Sequence, residues 1–277
     1  MLVYKCKKAE RRLTVIDVKN LSFRYHKNGP QILDNLSFAI EKGEVLAVLG
    51  KNGIGKTTFI KCLTSELKNY SGEILIDGTE TREYSVPELS KKIAVVASNS
   101  PSYQNLIVAD YLVTGFANQL TALQVPDDEK YEKAAETISE LGYNHLFNRE
   151  IFGLSSGEFQ IVKIARAILQ DPSIIVFDEP TSNLDVNNQL LVLSQITDLS
   201  NRGYTIITTT HNPGQAIELN GKVLLMTGKE TIFGHAAKIL TEPNLKNTYG
   251  LDVEIEDGKY RHYAVFSDKG GKHRLIY

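Results

Sequence analysis

Hydrophobic and polar positions change period in an orderly way along the chain. Residues 13–18, 21–25 and 31–40 roughly alternate apolar with polar side chains, and a Lys-Asn-Gly-Pro turn at Lys27 to Pro30 precedes the last of them. A period of two predicts antiparallel strands with one buried face, and residues 72–76 add a further candidate. Five runs differ: 45–49, 93–97, 174–177, 205–209 and 223–226 are short and apolar or β-branched throughout. Such runs fit strands covered on both faces, as in a parallel sheet. The covering helices are readable too. Tyr131, Ala134, Ala135, Ile138 and Leu141 recur at helical spacing, as do Ile161, Ile164, Ala165, Ile168 and Leu169, and then Leu190, Leu191, Leu193 and Ile196. The predicted fold is α/β: a mostly parallel sheet, an N-terminal antiparallel β subdomain, and a helical stretch at about 98–165 that interrupts the strand series.

Composition narrows the class without naming a chemistry. The chain has 277 residues, 42% of them hydrophobic, enough for one domain with an inserted subdomain. Its 31 Lys plus Arg against 33 Asp plus Glu leave a net charge of -2, so no bulk attraction to nucleic acid is expected. Cys6 and Cys62 are too few for a disulfide framework or a zinc site and fit a reducing compartment. No apolar run approaches the ~18–20 residues that span a bilayer. Residues 1–12 carry five basic side chains with no apolar block behind them, which argues against a secretory signal. The expectation is a chain that stays in the cytoplasm.

The chemistry begins at residue 50. Gly50, Gly55, Lys56 and Thr57 fill every fixed position of G-x-x-x-x-G-K-[ST], between a buried strand and the apolar start of a helix. That is the context of a phosphate-binding P-loop. Glycines let backbone N–H groups curl around phosphates, and the helix N-terminus adds partial positive charge. Gly50, Asn52, Gly53, Gly55, Lys56, Thr57 and Thr58 are therefore candidate nucleotide contacts, with Lys56 reaching the β- and γ-phosphates and the Thr57 hydroxyl on Mg²⁺. Lys51 reads as a solvated loop charge. The run 174–177 ends in Asp178 and Glu179. Asp178 is placed to share Mg²⁺ with Thr57, leaving Glu179 to polarise water.

A third motif lies between these two. Leu154, Ser155, Ser156, Gly157 and Glu158 precede an apolar helix and resemble the L-S-G-G-Q signature of ATP-binding cassette (ABC) ATPases. Asp178 to Asp185, D-E-P-T-S-N-L-D, resembles that family's Walker B motif running into its D-loop, and His211 falls at its switch histidine. Four motifs in family order cover about 14–235. The resemblance implies a RecA-like P-loop NTPase core at about 13–97 and 166–235, a helical subdomain at 98–165 and a tail at 236–277, all in one domain. It also implies a head-to-tail homodimer, in which Ser155, Ser156, Gly157 and Asp185 of one subunit meet ATP held by the other. Tyr25 matches the aromatic that stacks on adenine. Taken singly, Ser155 and Ser156 are also good helix N-caps, a histidine at a strand end commonly serves structure, and an aromatic in an alternating strand is as often core.

Three positions depart from the family pattern. Ser156 stands for a glycine, Glu158 for a glutamine, and Ser98, followed by Asn99 and Ser100, stands where the Q-loop glutamine belongs; Gln104 comes too late. The stretches 211–216, 221–226, 240–245 and 249–253 look like importers for iron siderophores, haem and cobalamin. That branch implies integral membrane permease subunits, an extracytoplasmic binding protein that delivers the ligand, and a place on the cytoplasmic face of the membrane. Two other readings stay open: a soluble ABC ATPase outside transport, and a regulatory ATP-binding module with little turnover. One P-loop and no sustained heptads weigh against the first, Glu179 and His211 against the second.

Overall fold

A computed structural model describes residues 13–97, 106–121, 124–257, 262–267 and 274–276. Strands β1 (Thr14–Phe23) and β2 (Leu33–Glu41) pair antiparallel and bury alternate side chains. The two strands expected at 13–18 and 21–25 are one, with the register shifting between Val18 and Leu21 around Asn20, whose φ is 51°. A bulge of this kind resets which face is buried, so the alternation breaks while the strand continues. Strand β3 (Val45–Gly50) is buried along its whole length and leads through the turn at 51–55 into helix α1 (Lys56–Leu63). Strands β4 (Ser71–Ile76) and β5 (Thr79–Glu80) complete a four-stranded antiparallel sheet in the order β2-β1-β4-β5.

Helix α2 (Val86–Ser90) opens on a capping box between Ser85 and Glu88 and delivers the chain to β6 (Ile93–Ala97). Among the described residues, α-helices α3 (Val108–Val113), α4 (Asp128–Glu140) and α5 (Ser156–Leu169) follow before the next long strand. They share one apolar cluster, with Leu112, Phe116, Ile138, Ile161 and Ile164 fully or almost fully buried. Lys163 on α5 is buried as well, and its ammonium donates to the Ala97 carbonyl at the end of β6 (3.0 Å). Burial pushes its pKa down to about 8.

Strand β7 (Ile174–Asp178), helix α6 (Val186–Asn201), strand β8 (Thr205–Thr210), helix α7 (Pro213–Leu219) and strand β9 (Lys222–Met226) rebuild the βα alternation. Strand β10 (Thr231–His235) returns antiparallel to β9. The resulting sheet has the order β10-β9-β3-β8-β7-β6, parallel except at the β10 edge. Its central members β3, β7 and β8 are covered on both faces, and the C-terminal ends of all three open on one side. In parallel sheets that edge is where ligands sit. The architecture is thus α/β with an N-terminal antiparallel sheet, as the sequence predicts.

The tail adds helices α8 (Ala236–Ile239) and α9 (Glu242–Tyr249) and an antiparallel meander of β11 (Asp252–Asp257), β12 (His262–Ser267) and β13 (Arg274–Ile276). No helix among the described residues is long and apolar enough to cross a membrane.

Candidate functional site

A cleft of about 250 Å³ opens at the C-terminal ends of β3 and β7, lined by Asn52, Gly53, Gly55, Lys56, Thr57, Thr58, Asp178 and Glu179. Gly50 ends β3, and the turn after it reaches Gly55, the residue that caps α1 with φ 119°. Only glycine takes that φ at low cost, and a Cβ there would stand 3.0 Å from Ile32. The free N–H groups at the start of α1 line this cleft and supply the partial positive charge that an anion needs.

Lys56 is buried, with its ammonium bonded to the carbonyls of Gly50 (2.9 Å) and Lys51 (3.1 Å) and 3.3 Å from a Glu179 carboxylate oxygen. The neighbouring Thr57 hydroxyl donates to Asp178 (3.2 Å). Two hard oxygen donors side by side are what a small divalent cation such as Mg²⁺ prefers. The pairing read from the sequence, Thr57 with Asp178, is therefore present in space across 121 residues of chain.

Thr209 fixes the orientation of both acidic residues. Its hydroxyl donates to the other Asp178 oxygen (2.7 Å) and accepts from the Glu179 N–H (2.9 Å). Sequence reasoning missed it. A signal existed: Thr205, Thr208, Thr209 and Thr210 are all buried in β8, and a central strand so rich in hydroxyls must find acceptors for them. Glu179 itself has φ 48°, an uncommon conformation for a non-glycine residue. Its second carboxylate oxygen accepts from the Ser182 hydroxyl (3.2 Å) and lies 3.8 Å from His211 Nδ1. The half-exposed His211 is thus brought beside the acidic pair. Its backbone carbonyl accepts from the Tyr249 hydroxyl at the end of α9 (2.9 Å).

Tyr25 lies beyond the end of β1, not within a strand. Its ring packs edge-on against Phe23, and its hydroxyl shares a hydrogen bond with Thr58 (3.0 Å). The ring is half exposed, so one face is open beside the P-loop helix.

Ser155, Ser156 and Gly157 stand together at the start of α5. Ser155 caps the helix by accepting from the Glu158 N–H (3.2 Å), while its own N–H donates to the Glu158 carboxylate (2.8 Å). That backbone bond holds the Glu158 carboxyl below its ordinary range. Glu158 thus closes a capping box with Ser155, a role open to glutamate and glutamine alike. Gly157 packs on α6: a Cβ there would lie 2.4 Å from the Asn188 side chain. Asn188 in turn is held by Asp185, which accepts from its backbone (2.9 Å) and its side-chain amide (2.8 Å) as the cap of α6. No hydrogen bond or ion pair among the described residues joins 155–157 to the P-loop. Ser98, with Asn99, Ser100 and Gln104, lies outside the described residues.

Residues 33–182 match the family model described as ABC transporter. The chain is 32% identical over 247 residues to the molybdate import ATP-binding protein MolC of Haemophilus influenzae, covering 89% of this chain and 92% of that one. It is 31% identical over 256 residues to a probable iron chelatin transport ATP-binding protein of Helicobacter pylori, covering 91% of this chain and all of the relative. Among solved structures, an inward-facing ABC transporter described as of metal-chelate type superimposes with a TM-score of 0.80 at 30% identity, covering 95% of this chain and 97% of that one.

Proposed function

Because the chain belongs to the ABC transporter family, as an ATP-hydrolysing, ATP-binding subunit, we propose that it powers an importer for an iron-siderophore, haem or cobalamin-type ligand. In this reading it works as a homodimer on the cytoplasmic face of the membrane, held there by permease subunits and served indirectly by an extracytoplasmic binding protein. The chain is one domain, divided into core, helical subdomain and tail at the boundaries given by its motifs. The observation that carries the importer assignment is the likeness to a metal-chelate-type transporter over 95% of the chain, which extends past the nucleotide-binding core into the tail. The iron chelatin relative supports the same cargo class.

The site's geometry supports the following division of labour. The P-loop N–H groups and Lys56 take the triphosphate, whose oxygens replace the carbonyls of Gly50 and Lys51 as partners of the buried ammonium. Thr57 and Asp178 would hold Mg²⁺, which when bound neutralises charge on the β- and γ-phosphates. Thr209 keeps Asp178 turned toward Thr57. Glu179 accepts the proton of the attacking water, and His211, within 3.8 Å of it, faces the same reacting end. The open face of Tyr25 stacks on adenine. Ser155, Ser156 and Gly157 present helix N–H groups at an exposed end, where a partner subunit's triphosphate would meet them together with Asp185.

The molybdate relative favours a second cargo, a small oxyanion. Affinity capture of the tagged chain from detergent-solubilised membranes, followed by reconstitution with the captured permease in vesicles, tests the assignment. ATP-dependent uptake of an iron chelate, haem or cobalamin supports it. Uptake of molybdate alone, or recovery of the chain without any integral membrane protein, overturns it.

A further inference from the structure

Gln215, on the first turn of α7, does not line the phosphate cleft, yet its side chain joins three of the surrounding segments. Its amide oxygen accepts two hydrogen bonds, from the Thr181 hydroxyl at 3.0 Å and the Thr210 hydroxyl at 2.7 Å. A carbonyl oxygen has two lone pairs, and both are used. The Thr210 hydroxyl accepts from the Asn212 N–H (3.0 Å), so its one proton is committed to Gln215. On the other side, the Gln215 amide nitrogen donates to Gln189 Oε1 (3.4 Å), and Gln189 donates to the Leu184 carbonyl (2.9 Å), next to Asp185.

The positions of the partners give this network its meaning. Thr181 is two residues past Glu179, and Thr210 immediately precedes His211. Leu184 and Gln189 bracket the cap of α6. Thr181, Thr210 and Gln215 are 6%, 4% and 9% exposed, so water has no access to replace a lost partner. A shift of the loop after Glu179 must therefore move Thr210 with it or break a buried hydrogen bond.

We propose that Gln215 is a positioning residue for hydrolysis: its amide oxygen clamps Thr181 to Thr210 and so holds the Glu179 carboxylate and the His211 ring in one arrangement toward the nucleotide. The proposal rests on the reading of Glu179 as base and His211 as its neighbour at the reacting end. Its amide nitrogen extends the same clamp to the loop that ends at Asp185, so that contact made at Asp185 by a second subunit is felt at the base.

Three variants test this, with kcat and KM for MgATP measured below the melting temperature of each. Gln215→Leu deletes the oxygen that accepts both bonds, along with the amide donor, and is expected to lower kcat by roughly tenfold to a hundredfold, the scale of a small misplacement of reacting groups. KM should stay within about threefold, because the P-loop contacts are untouched. Gln215→Glu offers the same two hydroxyls a pair of acceptor oxygens and is expected to recover most of kcat. Thr181→Val, which removes one of the two bonds and keeps the fold if the leucine variant fails to accumulate, is expected to lower kcat with KM unchanged. Parental kcat in Gln215→Leu or in Thr181→Val overturns the proposal. So does a Gln215→Glu variant as slow as Gln215→Leu, or a loss that falls on KM. Glu179→Gln, run alongside, separates the two layers: parental turnover in that variant defeats the reading of the base itself, whatever the Gln215 series shows.

Discussion

The Lys56 ammonium lies 3.3 Å from a carboxylate oxygen of Glu179, so the P-loop lysine and the proposed base form one ion pair across the cleft. A triphosphate in the cradle competes for the same ammonium and frees the carboxylate for water. Glu179→Gln keeps the shape and removes both the charge and the base. Its affinity for MgATP should equal or exceed the parent's, while turnover falls by about 10²- to 10⁴-fold, the usual contribution of a positioned base. Equilibrium nucleotide binding and single-turnover hydrolysis check the two halves separately. Parental turnover would remove Glu179 from the mechanism.

Gly157→Ala should weaken the junction between the helices α5 and α6. The added methyl would sit 2.4 Å from an Asn188 side chain that Asp185 holds in place, so Asn188 must leave its hydrogen bond to make room. The expected outcome is a lower melting temperature, with Asn188→Ala in the same chain restoring much of the loss. If the single variant melts with the parent, the contact is slack.

Ser155 caps α5 and, in the proposed dimer, also meets the partner subunit's triphosphate, so substitutions should separate the two roles. Ser155→Ala loses a helix cap, a cost of about 0.5–2 kcal/mol readable by urea unfolding. Ser155→Arg adds bulk at the exposed helix start and should abolish MgATP-dependent dimerisation in the Glu179→Gln background, followed by gel filtration. Ser156→Gly should dimerise normally, since the backbone N–H remains. Dimerisation of the arginine variant would refute the proposed sandwich.

Lys163 predicts a pH dependence of stability. Burial puts its folded pKa at about 8, below the ordinary 10.5, so between those values the unfolded chain binds more protons than the folded one. Stability contributed by the residue therefore rises with pH across that window. Urea unfolding of the parent and of Lys163→Met at both ends of the range should show the parent gaining on the variant toward high pH. A constant difference would place the ammonium in contact with water.

Much of the site is legible in the sequence because its parts are local. Gly50 to Thr58 is a strand end, a turn and a helix start, each with its own residue preferences, and 174–179 is an apolar run ending in two acids. What escaped depends on contacts distant along the chain. Thr181, Thr210 and Gln215 meet across 29 and 34 residues, measured from Thr181, and nothing in the periodicity of buried positions registers a hydroxyl aimed at an amide. The alternation divides β1 into two because Asn20 takes a positive φ and resets the buried face. The edge strand β10 and the meander β11 to β13 were not foreseen. An antiparallel hairpin at a sheet edge, and a short sheet at the end of the chain, need too few buried positions for their period to stand out.

The backbone of Glu179 carries a further consequence. A φ of 48° costs a side-chain-bearing residue on the order of 1–3 kcal/mol, and glycine or asparagine adopts it more cheaply. Compared with Glu179→Gln, which shares the strain, Glu179→Gly should melt at a higher temperature and be just as inactive; equal melting would mean that the loop imposes no strain. On that expectation, heat resistance and turnover are opposed at this one residue. A search for hardier variants that scored survival alone would drift toward glycine here and discard the chemistry, so any thermal selection of this chain has to be run with hydrolysis as a second criterion.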